Sequence, residues 1–309
     1  MPAGCGSQGD LELPDSTQNA PKRFLLYGLW LILSVALFWK ALAALLHYSL
    51  GNDNASHIVL IPFISVWLMY FEYKRIFRQL AFDYLSAGIL LAPAILVGCW
   101  TWRSGDSWTA TESLSGYTLA LVFLWAAGFA LVFGRQALRN GRFSLLFLLL
   151  MVPLPDTFLN YCIYYLQTGS AGIAEMIFDV AGVPALRDGF IFHLAHLSIE
   201  VAKECSGIRS SLALLILALL VGHLFLRTFW KQALFVIVGL VIMIVKNGIR
   251  IATLTILAQY VDSGFLYGRL HHEGGVVFFL IGLLLLLPVF WLLQRSERPR
   301  VPAPGATAA

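Results

Sequence analysis

Residues 233–258 read ALFVIVGLVIMIVKNGIRIATLTILA. At about 1.5 Å per residue, this run is long enough to cross the roughly 30 Å hydrocarbon core of a bilayer as one helix. Its apolar continuity is interrupted by Lys246-Asn247-Gly248-Ile249-Arg250. A guanidinium inside an apolar helix is costly unless it meets a partner or a water-filled cavity, so Arg250 marks a functional site by default. The bland alternative is a structural pairing with a carboxylate such as Glu112, Glu175 or Asp262. Asn247 lies three residues earlier on the same helical face, where it can orient Arg250 or a substrate carbonyl.

The rest of the chain repeats this pattern. Of 309 residues, 59% are hydrophobic and 12% charged, and the mean hydropathy is +0.78. These values lie far from those of a soluble domain. Apolar runs at about 24–47, 57–73, 84–101, 114–133, 143–155, 207–226, 232–251 and 274–294 each predict a membrane helix, the second and fifth being short. The expected fold class is an all-α polytopic membrane protein of about eight transmembrane helices. Lys22/Arg23, Lys74/Arg75/Arg78, Arg135/Arg139/Arg142, Arg227/Lys231 and Arg295/Arg298/Arg300 fall at every second boundary, which assigns those boundaries to the cytoplasm. An even number of spans then leaves both termini inside, in agreement with their basic flanks. The net charge of +4 reflects these loop residues and forms no basic stripe, so the bilayer is the expected partner and nucleic acid is not.

We expect a disordered cytoplasmic tail at 1–21, a single transmembrane domain at 22–294 and a flexible basic cytoplasmic tail at 295–309. The first tail lacks the charged-then-apolar order of a cleavable signal peptide. Between 157 and 204 the pattern changes. Thr157–Val180 predicts an amphipathic helix lying along the membrane surface. Arg187-Asp188-Gly189 is a turn signal, and Phe190–Leu194 and Leu197–Val201 partly alternate, predicting a short outward-facing β-hairpin.

That hairpin leads into Glu204-Cys205-Ser206-Gly207-Ile208-Arg209, where a thiol sits beside charged residues just ahead of an apolar helix. A helix start and a nearby cation both favour thiolate over thiol. Arg209 stands at i+4 from Cys205 and can reach back toward the sulfur, or simply snorkel to the interface. Cys99 and Cys162 have apolar surroundings, where a thiol acts as a small buried hydrophobe. His271 and His272 precede Glu273-Gly274-Gly275 at the edge of the last apolar run. A zinc-helix motif fails here, because Val276 stands where a second histidine is needed, and neither metal nor cofactor is expected. Cysteine, histidine and an arginine that stabilises negative charge form a complete set for acyl transfer from a peptide. His57, also on the outer side, is an auxiliary candidate.

These blocks resemble the exosortase/archaeosortase family of multi-pass membrane cysteine transpeptidases. The resemblance rests on Ser56-His57-Ile58-Val59-Leu60-Ile61-Pro62, Met151-Val152-Pro153-Leu154-Pro155, Glu204 to Ser210, Asn247-Gly248-Ile249-Arg250-Ile251, and His271 four residues before Gly275. It implies Cys205, Arg250 and His271 as catalytic residues, with His272 adjacent as the competing histidine. Arg209, Asn247, His57 and Glu204 are candidates for auxiliary or substrate-binding roles. It also implies membrane-anchored protein substrates with C-terminal, Pro-Glu-Pro-like sorting signals, an amine or glycan as acyl acceptor, and a site on the periplasmic side of a bacterial inner membrane. Two rivals stand beside it. In a transporter or channel, Arg250 and the histidines would line an ion or proton path. In a non-catalytic scaffold for polysaccharide export, all three residues would be silent.

Overall fold

The computed structural model describes residues 20–105, 107–195, 197–201, 208–262, 264 and 275–297. They fall into two compact units that divide between Asp156 and Thr157. Six helices among the described residues are long and apolar enough to cross a membrane. A seventh span exists if Arg142–Met151 and Asp156–Ala181 are read as one broken span. The described residues thus supply six or seven of the eight expected spans.

In the first unit, helices α1 (Ala20–Leu37) and α2 (Trp39–Gly51) occupy the first apolar run. The second run is only α3 (Leu60–Phe71), because residues 57–59 form turns. Twelve residues rise about 18 Å, too little to span. Pro62 is tolerated there because it lies in the first turn, where no intrahelical partner is lost. After the short α4 (Tyr73–Ile76) come α5 (Tyr84–Ser104) and α6 (Ala110–Asn140). A capping box starts α6: Thr109 Oγ1 accepts from Glu112 N, and the Glu112 carboxylate accepts from Thr109 N. The fifth run is α7 (Arg142–Phe147) and a 3₁₀ turn at Leu148–Met151, stopped by Pro153 and Pro155.

Near its end α6 is broken at Gly134, which adopts φ 87° and ψ 174°. The break releases carbonyls from the helical ladder, and three new donors take them. Asp83 N donates to Leu131 O, Ala81 N to Phe133 O, and the Arg23 guanidinium to Val132 O at 2.6 Å. Phe24, Tyr27, Phe77, Phe129 and Phe133 pack edge to face or tilted around this point, with ring centroids 4.9–5.9 Å apart in those pairs.

The second unit begins within α8 (Asp156–Ala181), whose buried residues Ile163, Gln167, Ser170, Ala171, Ala174 and Phe178 recur at helical spacing. The expected hairpin is joined by a further strand. β1 (Leu186–Asp188), β2 (Ile191–His193) and β3 (Ser198–Glu200) form an antiparallel sheet in the order β1-β2-β3, with Arg187 opposite Phe192 and Phe192 opposite Ile199. Residues 187–188, read above as part of a turn, are strand, and the turn itself uses Gly189 at φ 60°. Phe192 is fully buried and packs edge to face on Phe178 at 5.2 Å, which seats the sheet on α8.

Helices α9 (Ile208–Phe225), α10 (Phe229–Tyr260) and α11 (Gly275–Arg295) pack around Leu214, Ala218, Phe235, Met243 and Leu286. Three residues connect α9 to α10, so the two run antiparallel. The end of α11 is bound to the start of α10: the Glu297 carboxylate accepts from the backbone N–H of Arg227 and of Thr228, each at 2.9 Å, while Lys231 Nζ donates to Ser296 Oγ at 2.9 Å. The segment expected to begin a loose tail is thus anchored. With α11 ending where α10 begins, the starts of α9 and α11 and the end of α10 share the opposite end of the bundle.

Two outcomes test these features. Replacing Gly134 with alanine puts a Cβ 2.6 Å from the Ala81 carbonyl at a backbone angle L-residues avoid, and should lower stability by about 1–3 kcal/mol, read as the thermal midpoint in detergent. For Glu297, burial alone would raise the pKa. The Arg227 and Thr228 N–H groups and the Lys231 charge outweigh it and hold the carboxyl below its ordinary 4.5. Glu297→Ala should cost about 1 kcal/mol at neutral pH. A depressed carboxylate contributes stability above its unfolded pKa, so the gap between wild type and variant should close as pH falls through the folded value.

Candidate active site

Of the site candidates within the described residues of the second unit, Arg209 lies on α9 and Asn247 and Arg250 lie on α10. Arg250 is half-buried and Asn247 is 1% exposed, one turn apart on α10. Asn247 Nδ2 donates to Ser170 Oγ on α8 at 3.1 Å. The rotation of α10 is set by a close helix crossing at this level. A Cβ on Gly248 would lie 2.5 Å from Ile173 Cβ and 2.9 Å from the Ser170 carbonyl oxygen. Small residues permit such approaches, and the gain is dense packing where lipid offers no hydrophobic drive between helices.

Between α10 and α9, Lys246 Nζ donates to Ser210 Oγ. This contact sets the relative register of the two helices. Arg250 follows Lys246 by four residues, about 6 Å along the axis, and so reaches the level at which the chain enters α9. Arg209, in the first turn of α9, is exposed. The described helix begins at Ile208, so the helical i+4 relation of Arg209 to Cys205 reaches beyond the described residues.

Cys205, Glu204, His271 and His272 lie outside the described residues. The chain on either side of Cys205 is held within the second unit. Val201, 1% exposed, donates its N–H to Phe190 O at 2.8 Å, and its carbonyl accepts from Gln167 Nε2 at 2.7 Å. Ile208, also buried, opens α9. A buried glutamine on α8 therefore fixes the backbone four residues before the thiol.

The three carboxylates named above each make a contact of their own. Glu175 pairs with Arg187 at 2.8 Å, bracing α8 against the sheet, and Glu112 belongs to the capping box of α6. Asp262 accepts from Gly264 N at 2.8 Å. His57 belongs to the first unit, where burial holds its pKa below the ordinary 6.5 against the opposing effect of the backbone at Asn54 and Leu150. Cys99 is exposed on α5 and Cys162 half-buried on α8, so the expectation of a buried thiol fails for Cys99: it sits on a helix face turned toward the surroundings. Lys246, Ser170 and Ser210 are the residues that sequence reasoning left without a role. The available signal was the i, i+4 spacing of Lys246 and Arg250 in an apolar helix.

The family model for transmembrane exosortases matches residues 39–288. No curated protein and no solved structure matches the chain.

The crossing that orients Arg250 is testable. Gly248→Val should lower the thermal midpoint, at a cost of about 1–3 kcal/mol from overpacking. Gly222→Ala, whose nearest neighbour would be Phe235 Cδ1 at 3.5 Å, should leave it nearly unchanged.

Proposed function

This chain belongs to the transmembrane exosortase family, and from that premise we propose that it is a membrane-embedded cysteine transpeptidase or endopeptidase. Its substrates are exported proteins that carry a C-terminal, Pro-Glu-Pro-like sorting signal followed by their own membrane anchor. One observation carries the reading furthest: the Lys246–Ser210 contact sets Arg250 level with the start of α9, three residues after Cys205. His271 lies four residues before Gly275, the first residue of α11, and α11 starts at that same end of the bundle. Ile208 and Gly275, the described residues that follow these two positions in the chain, thus share one end of the second unit with Arg250, which supports the reading.

In the proposed mechanism, Cys205 Sγ attacks the scissile carbonyl carbon as the thiolate, and the carbonyl π-electrons move onto oxygen. His271 takes the thiol proton and returns it to the leaving amine as the C–N bond breaks, leaving a thioacyl-enzyme. Arg250 stabilises the thiolate and then the oxyanion, with Asn247 holding the guanidinium in place. Water, an amine or a glycan hydroxyl resolves the thioester. Arg209 pairs with the acidic residue of the sorting signal. Glu204, His57 and His272 are auxiliary, His272 being the alternative proton carrier. No cofactor or metal is required.

The distribution of basic residues supports an inner-membrane protein with both termini cytoplasmic and the site facing the periplasm. On this reading residues 22–294 act as one exosortase-like domain, with tails at 1–21 and 295–309, the second of which starts from the anchored residues Ser296 and Glu297.

The deciding experiment is processing of a tagged, anchor-bearing substrate in membranes. Cys205→Ala should abolish it, and Arg250→Ala should slow it by about 10²- to 10³-fold. Iodoacetamide should label Cys205 rapidly near neutral pH in the wild type and slowly in Arg250→Ala and His271→Ala. Wild-type processing by Cys205→Ala would sink the enzyme reading and turn attention to transport.

A further inference from the structure

Lys246 is 1% exposed and among the largest fully buried side chains. It lies fifteen residues past Lys231 on α10, or about 22 Å along the axis, a depth at which a charged ammonium is costly. Its stem packs against α11, where the absence of a side chain at Gly282 leaves room: a Cβ there would meet Lys246 Cγ and Cδ at 3.6 Å. Its head donates to Ser210 Oγ in the first turn of α9. Lys246 thus touches both other helices of the bundle. None of the ion pairs among the described residues involves it. A hydroxyl accepts its charge, and the nearest cation on its own helix is Arg250, one turn further on, which adds repulsion rather than relief.

By stability alone this arrangement is unfavourable. A methionine would fill nearly the same volume without carrying a charge out of water, and replacing buried charges with apolar groups is often neutral or stabilising. What the ammonium supplies and a thioether cannot is a directed hydrogen bond across the helix interface. That bond acts on one place, the first turn of α9, and sets both its height and its rotation relative to Arg250. A hydroxyl whose lone pair is engaged by a cation is also a stronger donor through its own proton.

We propose that Lys246 is a positioning residue for the cysteine chemistry: through Ser210 it locks the start of α9 against α10, one turn from Arg250. This rests on the transpeptidase reading above and adds to it a residue that acts through the helix start rather than on the substrate.

The test uses full-length protein reconstituted in lipid, with thermal midpoint, kcat and KM for an anchor-bearing substrate measured side by side. Lys246→Met should leave the midpoint unchanged or raise it, while kcat falls about 10- to 100-fold and KM stays within about twofold, the pattern expected when reacting groups are displaced by about 1 Å. Ser210→Ala should reproduce the fall in kcat, and the double variant should be no worse than either single one, because both remove the same bond. Lys246→Arg, which keeps a donor, should recover part of the rate. If Lys246→Met does not fold, Ser210→Ala carries the test, since it is the smaller change at the same bond.

Wild-type kcat in Lys246→Met or in Ser210→Ala would overturn the proposal. So would a fall in midpoint that accounts for the lost activity, since Lys246 would then be a packing element. A Cys205→Ala control separates the two levels. If it is inactive while Lys246→Met is fully active, only the positioning role fails; if it is active, the enzyme reading fails and the positioning role with it.

Discussion

Polar groups inside this protein have no water to turn to, and that constraint organises the packing. Where Gly134 breaks α6, the released carbonyls are met by Arg23 and by the backbone at Ala81 and Asp83. Trp30 Nε1 donates to Leu124 O, and Trp125 Nε1 to Ser34 Oγ. Gln167 reaches the Val201 carbonyl, and Asn247 reaches Ser170. Each bond ties two separate elements together, so satisfying a polar atom and fixing a tertiary position are the same event. The buried ammonium of Lys246 is the extreme case, because its charge makes the partner obligatory.

The second unit shows how this fixes the surroundings of Arg250. Its helices are anchored at both ends by different means: Glu297 caps the start of α10 at one end, and the Lys246–Ser210 bond registers α9 on α10 toward the other. Between them lies the Gly248 crossing, where α8 approaches closely enough to hold Asn247. The consequence is that Arg250 stands on a helix held by its neighbours on several sides, with Val201 pinned on one side of the Cys205 stretch and Ile208 opening α9 on the other.

Some of this was legible in the residues. The long runs near 84–101, 114–133, 207–226, 232–251 and 274–294 all correspond to helices of spanning length, because sustained apolarity over that distance has few other outcomes. The runs at 57–73 and 143–155 are shorter as helices for a local reason: turns take up 57–59, and prolines at 153 and 155 end the second, which can span only together with α8. Arg250 stood out because a cation in an apolar helix needs a reason. Lys246 sat in the same motif, and only its i, i+4 spacing from Arg250 hinted at a role.

The sequence by itself determined that this is a multi-pass helical membrane protein of the exosortase family, since apolar length and local motif are both properties of neighbouring residues. It also singled out Arg250 and the stretch around Cys205. The tertiary structure alone decided that Ser170, Ser210 and Gly282 are the surroundings of Asn247 and Lys246, and that Glu297 belongs to the start of another helix. Those pairings join residues 36 to 77 positions apart, or 70 in the case of Glu297 and Arg227. No local pattern encodes them, because register between packed helices is set by which side chains interlock rather than by what precedes or follows them in the chain.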